Sequence, residues 1–299
     1  MSPKKTLAVF GASGNQGSSV ARFVLADPEL SQQYAVRAIS RSTTHPSMQS
    51  LASQGASLVR ADMDDPSTLP AALAGVHTLF FLTTTTYEGD TRAIETRQAK
   101  AVCNAALEAG VSYIIFSSMS HPFEIKIEQW IRSLPVKSAF FAPASFMQNL
   151  MMHSMRPVPS PAGDGSFVLA NCIRGETRVP FIDIAETGKW VGAILAQPEK
   201  YAGKQFAAAA EILTMDEVAE IVSRVTGKVV KFQNLPDEVF KGFMPEAMRE
   251  QLHEMWALIR DYGYYGPTMD EDVAWAKENA RGEVTGLEAF LRKHEYKLE

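Results

Sequence analysis

The stretch LAVFGASGNQGSSVARFVL, from Leu7 to Leu25, places three glycines between a short apolar run and an amphipathic one. An apolar run that stops at Gly11 reads as a buried strand, and the residues after Gly17 repeat with helical period, so the loop joins a strand to a helix. Gly11 suits the tight turn, Gly14 lets main chain approach a bound group, and Gly17 lets the helix pack close to the strand. A helix starting there presents unpaired N–H groups and the positive end of its dipole. A bare three-glycine match is weak, but one set between a strand and a helix fits the pyrophosphate of a dinucleotide.

The same alternation runs through the first half of the chain. The runs TLAVFG, YAVRAIS, ASLVRAD, TLFFLTT, SYIIFSS and SAFFAPA are separated by helical patterns near residues 16–25, 46–54, 90–109 and 126–133. That spacing predicts an α/β fold, a Rossmann-type doubly wound parallel sheet covered on both faces. From about Asn149 the pattern breaks: Met147, Met151, Met152 and Met155 cluster, and RPVPSPAGDGS reads as loop. The run TRVPFIDIAETGKWVGAILAQP then restores strand followed by helix. The expected organisation is a dinucleotide-binding domain over 1–150, to which the chain returns at 176–198. A smaller, mainly helical C-terminal domain for substrate or partner takes 151–175 and 199–299. Within it, Thr214 with Glu217, and Thr285 with Glu288, have capping-box spacing; Gly227 and Gly263 are helix stops.

Composition narrows the function classes. With 299 residues the chain can hold one large α/β unit or a dinucleotide domain with a smaller companion. The formal net charge of -5, without a long block of one sign, argues against direct nucleic-acid binding. Cys103 and Cys172 lack C-x-x-C spacing and read as free buried thiols of a reducing compartment. The N-terminal apolar run is too short for a signal core or a membrane span, so a cytoplasmic or nuclear location without membrane association is expected. The spacing of His45, His77, His153, His253 and His294 predicts no metal site.

The end of the second strand bears on coenzyme choice. NAD-preferring folds present a carboxylate there, whereas this chain has VRAISRSTT, with Arg37 and Arg41 as cationic forks and Ser40, Ser42 and Thr43 as hydroxyls. NADP(H) is therefore expected over NAD(H). Asp62 and Met63 end the third strand, where a carboxylate can accept from an adenine amino group. Thr83 and Thr84 end the fourth, on the ribose and nicotinamide side.

With VFGASGNQGSSVAR, VRAISR, RADMDD, PASFMQNLM and PEKYAGKQF, the chain resembles the NmrA-like family, an atypical short-chain dehydrogenase/reductase group, over nearly its whole length. The G-x-x-G-x-x-G spacing agrees with that branch. The resemblance implies a Rossmann domain, a smaller C-terminal domain, NADP binding and a cleft between the two. Family members include redox-sensing regulators that bind other proteins, and enzymes reducing quinones or carbonyls. The implied coenzyme residues are Gly11, Ser13, Gly14, Asn15, Gln16, Gly17, Arg37, Arg41, Asp62, Met63, Thr83 and Lys126, with Thr84 and Phe146 beside them.

Ordinary short-chain dehydrogenases use Tyr-x-x-x-Lys and a serine after the fifth strand. In SSMSHPFEIKIEQW, Lys126 holds the lysine position, but Pro122 stands where the tyrosine would give its proton. Met119 takes the serine position, with Ser117 and Ser118 just before it. Two substitutes are candidates: Lys126 itself, if desolvated, as in the related isoflavone-reductase-like enzymes, and His121. Pro143, Phe146, Met147, Asn149, Met151, Met152, Tyr262 and Tyr264 suit a cleft for a flat apolar ligand, and equally a core, with core preferred for Met151 and Met152. The missing tyrosine favours a redox-sensing regulator acting on a protein partner such as a transcription regulator. The alternative is an NADPH-dependent reductase of a quinone, enone or ketone using Lys126 or His121.

Overall fold

The computed structural model describes residues 3–119, 122–152 and 155–299. By contacts the chain divides into two compact units, the first comprising Met1–Ala142, Ile184–Phe206 and Asn279–Gly282, the second the remainder.

In the first unit, β1 (Lys5–Val9), α1 (Asn15–Ala26), α2 (Leu30–Gln33), β2 (Tyr34–Ser40), α3 (Pro46–Ser53) and β3 (Ser57–Arg60) build one half of a sheet. The helices α4 (Leu69–Leu73), α5 (Thr91–Glu108) and α6 (Pro122–Arg132) alternate with β4 (Thr78–Phe81), β5 (Tyr113–Ser117) and β6 (Lys137–Pro143) to build the other. The first six strands pair in parallel, and the seven-stranded order is β11-β6-β5-β4-β1-β2-β3, with β11 (Gln205–Ala208) at one edge. The chain thus winds outward from β1 to β3, then restarts on the other side with β4, which makes the carboxyl end of β1 a switch point. Every residue of β4 and β5 is buried, which explains their unbroken apolar runs: helices cover both faces.

The segment Ile184–Phe206 belongs to this unit because α7 (Thr187–Ala196) packs on α1. A Cβ at Gly188 would lie 2.3 Å from Phe23 Cβ, so only glycine permits that approach. Ser19 Oγ donates to Ala185 O and accepts from Gly188 N–H, at 2.5 and 3.0 Å. Arg281 joins the same unit by pairing with Asp27 and Glu29, each at 2.7 Å. No helix among the described residues is long and apolar enough to cross a membrane.

The second unit holds two three-stranded sheets. One joins β7 (Ser145–Phe146), β10 (Arg178–Ile182) and β12 (Glu211–Thr214); the other joins β8 (Val158–Pro159), β9 (Phe167–Asn171) and β13 (Val230–Asn234). After α8 (Pro198–Tyr201) of the first unit, the helices here are α9 (Met215–Thr226), α10 (Asp237–Gly242), α11 (Arg249–Tyr262), α12 (Met269–Glu278) and α13 (Leu287–Lys293). Their core gathers Met147, Leu150, Phe181, Val222, Trp256 and Phe290. At α9 the Thr214–Glu217 capping box forms in both directions and Gly227 closes the helix in the left-handed conformation. At α13 the cap falls one residue past the expected Thr285. Gly286 is the N-cap, Glu211 accepts the Leu287 N–H, and Glu288 is drawn to Arg224 and Arg292.

Candidate functional site

The loop after β1 is shaped by two glycines. Gly11 has φ +64, and at Gly17 a Cβ would lie 2.5 Å from Gly11 O and 2.7 Å from Phe10 O, both main-chain atoms that cannot step aside. Gly14 is the N-cap of α1 and supplies no side-chain cap, and the first turn carries no acidic residue. Ser18 N–H bonds Gly14 O, but the N–H groups of Asn15, Gln16 and Gly17 have no acceptor among the described residues. The helix therefore opens on uncompensated donors at its positive end.

Side chains around this mouth are hydroxyl-rich. Ser13 Oγ meets Ser40 Oγ at 2.9 Å, and Ser47 Oγ donates to Ser13 O at 3.0 Å. Ser42 N–H reaches Ser40 Oγ at 3.4 Å, and Ser42 Oγ meets Thr44 Oγ at 3.0 Å. Arg41, one residue past β2, is exposed and has no ion-pair partner among the described residues. Arg37 is not brought here. It lies three residues short of the strand end, about 10 Å at strand rise, and its guanidinium donates at 2.8 Å to both Ala72 O and Ala74 O, capping α4. Those carbonyls at the negative end of a helix satisfy a cation that a phosphate was expected to claim.

Asp62 lies beyond β3. Its Oδ1 accepts from Asp64 N–H at 3.0 Å, and its main chain bonds Thr68. Met63 is partly buried against the core of the first unit. On the other side of β1, Thr83 Oγ donates to Glu95 Oε2 at 2.5 Å, and Thr84 N–H donates to Gln98 Oε1 at 2.9 Å. Gln98 Nε2 donates in turn to Asp64 Oδ2 at 3.0 Å, so α5 ties the loop after β3 to the loop after β4.

At the end of β5, Ser117 Oγ donates to Gln16 Oε1 at 2.7 Å, and Ser118, fully buried, bonds Phe141 O through its N–H at 2.8 Å. Lys126 on α6 is exposed, so the desolvated surroundings that an acid–base lysine requires are not present there. His121 lies outside the described residues.

Residues 3–291 match the model of the NmrA-like family. The chain belongs to that family. A curated relative, the NmrA-like family domain-containing oxidoreductase hkm9 of Aspergillus hancockii, is 29% identical over 95% of this chain and 92% of its own length. Among solved structures, NmrA, a negative transcriptional regulator in complex with NADP, matches with TM-score 0.78 and 22% identity over 97% of this chain and 95% of its own. The triphenylmethane reductase of Citrobacter sp. complexed with NADP(H) matches with TM-score 0.78 and 24% identity over 96% and 99%.

In this NmrA-like chain the expected cleft residues fall in the second unit and divide. Phe146, half-buried, pairs in β7 with Ile182 of β10. Met147 is core, Asn149 is half-buried, and Met151 packs against the core. Met152 is 61% exposed, so it is not the core residue expected, and Tyr262 is 75% exposed. Tyr264 OH donates to Pro143 O at 3.2 Å.

The fold also assembles groups that no spacing announces. Cys172, Asp237 and His253 place ligand-type atoms within 4.8 Å of one another. Arg260 already neutralises Asp237 at 2.8 Å, and its charge opposes a second cation. Glu95 and Gln98, both buried at 2% exposure, hold the loop after β4 without a motif that marks them. Their signal is positional: they share the α5 face that buries Ala99, Val102 and Ala106, where a polar side chain needs a partner.

Proposed function

We propose that this protein binds NADP(H) at the loop after β1 and serves as a redox-sensing regulator, its dinucleotide occupancy read by a protein partner such as a transcription regulator. The residues fit the group. Free N–H groups of Asn15, Gln16 and Gly17 would take the pyrophosphate, Gly14 leaves its approach clear, and exposed Arg41 beside the Ser40 and Ser42 hydroxyls would take the added phosphate. The coenzyme, when bound, supplies a hydride or reports the redox poise by its oxidation state. Only a difference in affinity between two conformations lets occupancy act on a partner.

The observation that carries the regulatory reading is that Pro122 stands where the tyrosine of Tyr-x-x-x-Lys would be. Pro122 has no proton to give, Ser117 commits its proton to Gln16, and Lys126 is solvated. NmrA, a regulator complexed with NADP, supports this reading through its fold.

A reductase is the second reading, favoured by the oxidoreductase name of the curated relative and by the NADP(H)-complexed triphenylmethane reductase. A quinone acceptor can draw its protons from water and needs no placed acid; an enone or ketone would call on Lys126 or His121. The test is NADPH absorbance followed across a panel of quinones, enones and ketones, beside partner recovery with and without NADP. Tight binding, NADP-dependent recovery and silence across the panel are expected. Sustained oxidation by one acceptor class moves the conclusion to the reductase, and failure to bind NADP(H) overturns both readings.

A further inference from the structure

Glu95 is a carboxylate at 2% exposure on α5, and its partner, Thr83, lies on a loop rather than in the core. Burying a carboxylate is costly unless bonds offset it. The loop is also close to the glycine turn: a Cβ at Gly11 would come within 2.9 Å of Leu82 Cδ2, the residue before Thr83. Because β1 sits between β2 and β4 in the sheet, Arg41 and Thr83 follow strands on opposite sides of the glycine turn.

The bond between Thr83 and Glu95 has a direction. A carboxylate oxygen only accepts, so at 2.5 Å the Thr83 hydroxyl must donate inward. Its remaining capacity is as an acceptor, which suits a ligand hydroxyl and repels a phosphate oxygen. We propose that Glu95 is a positioning residue which, acting through Thr83, makes this side of the loop select a ribose hydroxyl of the nicotinamide half of the dinucleotide. The proposal rests on the dinucleotide reading, in which the nicotinamide ribose lies toward Thr83, and adds the buried carboxylate that fixes the direction of the Thr83 hydroxyl.

The test uses the full chain and two probes, NADPH and 2′,5′-ADP, the second of which lacks the nicotinamide half. Thr83→Val and Glu95→Gln should each weaken NADPH by about tenfold while leaving 2′,5′-ADP within about twofold. Thr83→Ser should retain NADPH. A glutamine at 95 can turn its amide nitrogen toward Thr83 and reverse the bond; with valine at 83 there is nothing to reverse. Thr83→Val combined with Glu95→Gln should therefore bind NADPH as Thr83→Val does. Equal loss of both probes, no loss of either, or fully additive losses in the double variant would overturn the proposal alone. A wild-type chain that binds neither probe would overturn the dinucleotide reading and the role of Glu95 with it.

Discussion

Ser117 gives its hydroxyl proton to Gln16 Oε1 across 2.7 Å, joining the end of β5 to the first turn of α1. A serine two residues before Met119, which takes the position expected to assist hydride transfer, is thereby a strut for the phosphate loop. Ser117→Ala should lower NADPH affinity by about fivefold, through the freed Gln16 side chain, and stability by about 1 kcal/mol. Turnover at saturating NADPH, on any acceptor that is reduced, should stay unchanged. A collapse of turnover at unchanged affinity would assign Ser117 to the chemistry instead.

The glycines of the loop separate stability from binding. Gly17→Ala drives a Cβ to 2.5 Å from Gly11 O and should cost about 2–4 kcal/mol, seen as a lower melting temperature. Gly14 has φ -92, and its Cβ would approach nothing nearer than Gly11 O at 3.4 Å. Gly14→Ala should thus melt close to wild type while losing NADPH affinity. Equal melting losses for the two variants would mean that Gly14, like Gly17, is a packing residue.

What could be read from the sequence follows how local each cause is. The strand-to-helix glycine loop and the Thr214–Glu217 box depend on residues within a few positions, and both form as written. The box at Thr285 has the same spacing, yet Glu211, distant in sequence, takes over the Leu287 N–H and two arginines draw Glu288 away. Arg37 is legible as a strand cation but not as the cap of α4, because the helix end that claims it is a tertiary neighbour. Glu95 and Gln98 were hidden for a similar reason: a helical pattern says which face is inside, not which loop that face must hold.

The two arginines after the second-strand motif should separate in a binding assay. Arg41→Ala removes an exposed cation and should weaken NADPH by about tenfold or more with little effect on NADH. Arg37→Ala strips the cap from α4 and should cost about 1 kcal/mol of stability with the NADPH-to-NADH ratio unchanged. A lost ratio in Arg37→Ala would mean that this guanidinium leaves α4 when coenzyme binds.

The two thiols set an alkaline limit on the fold. Cys103 and Cys172 are free and buried, and burial pushes their pKa values up, to about 12 and about 11. In the unfolded chain a thiol titrates near 8.5. Below that pH both states keep the proton and the stability is whole. Above it the unfolded state loses protons that the folded state retains, so stability falls as pH rises toward the folded values, by up to about 1.4 kcal/mol per pH unit for each thiol. Tyr113, also raised by burial, joins the decline only above about pH 10, where unfolded tyrosine begins to titrate. Urea unfolding at pH 8 and pH 9.5 should therefore reveal a decline that Cys103→Ala roughly halves. A thiol reagent at pH 8 should leave the native protein unlabelled and modify both cysteines in denaturant. An undiminished decline in Cys103→Ala would take the alkaline sensitivity away from Cys103, and one that also survives Cys172→Ala would place it outside the thiols.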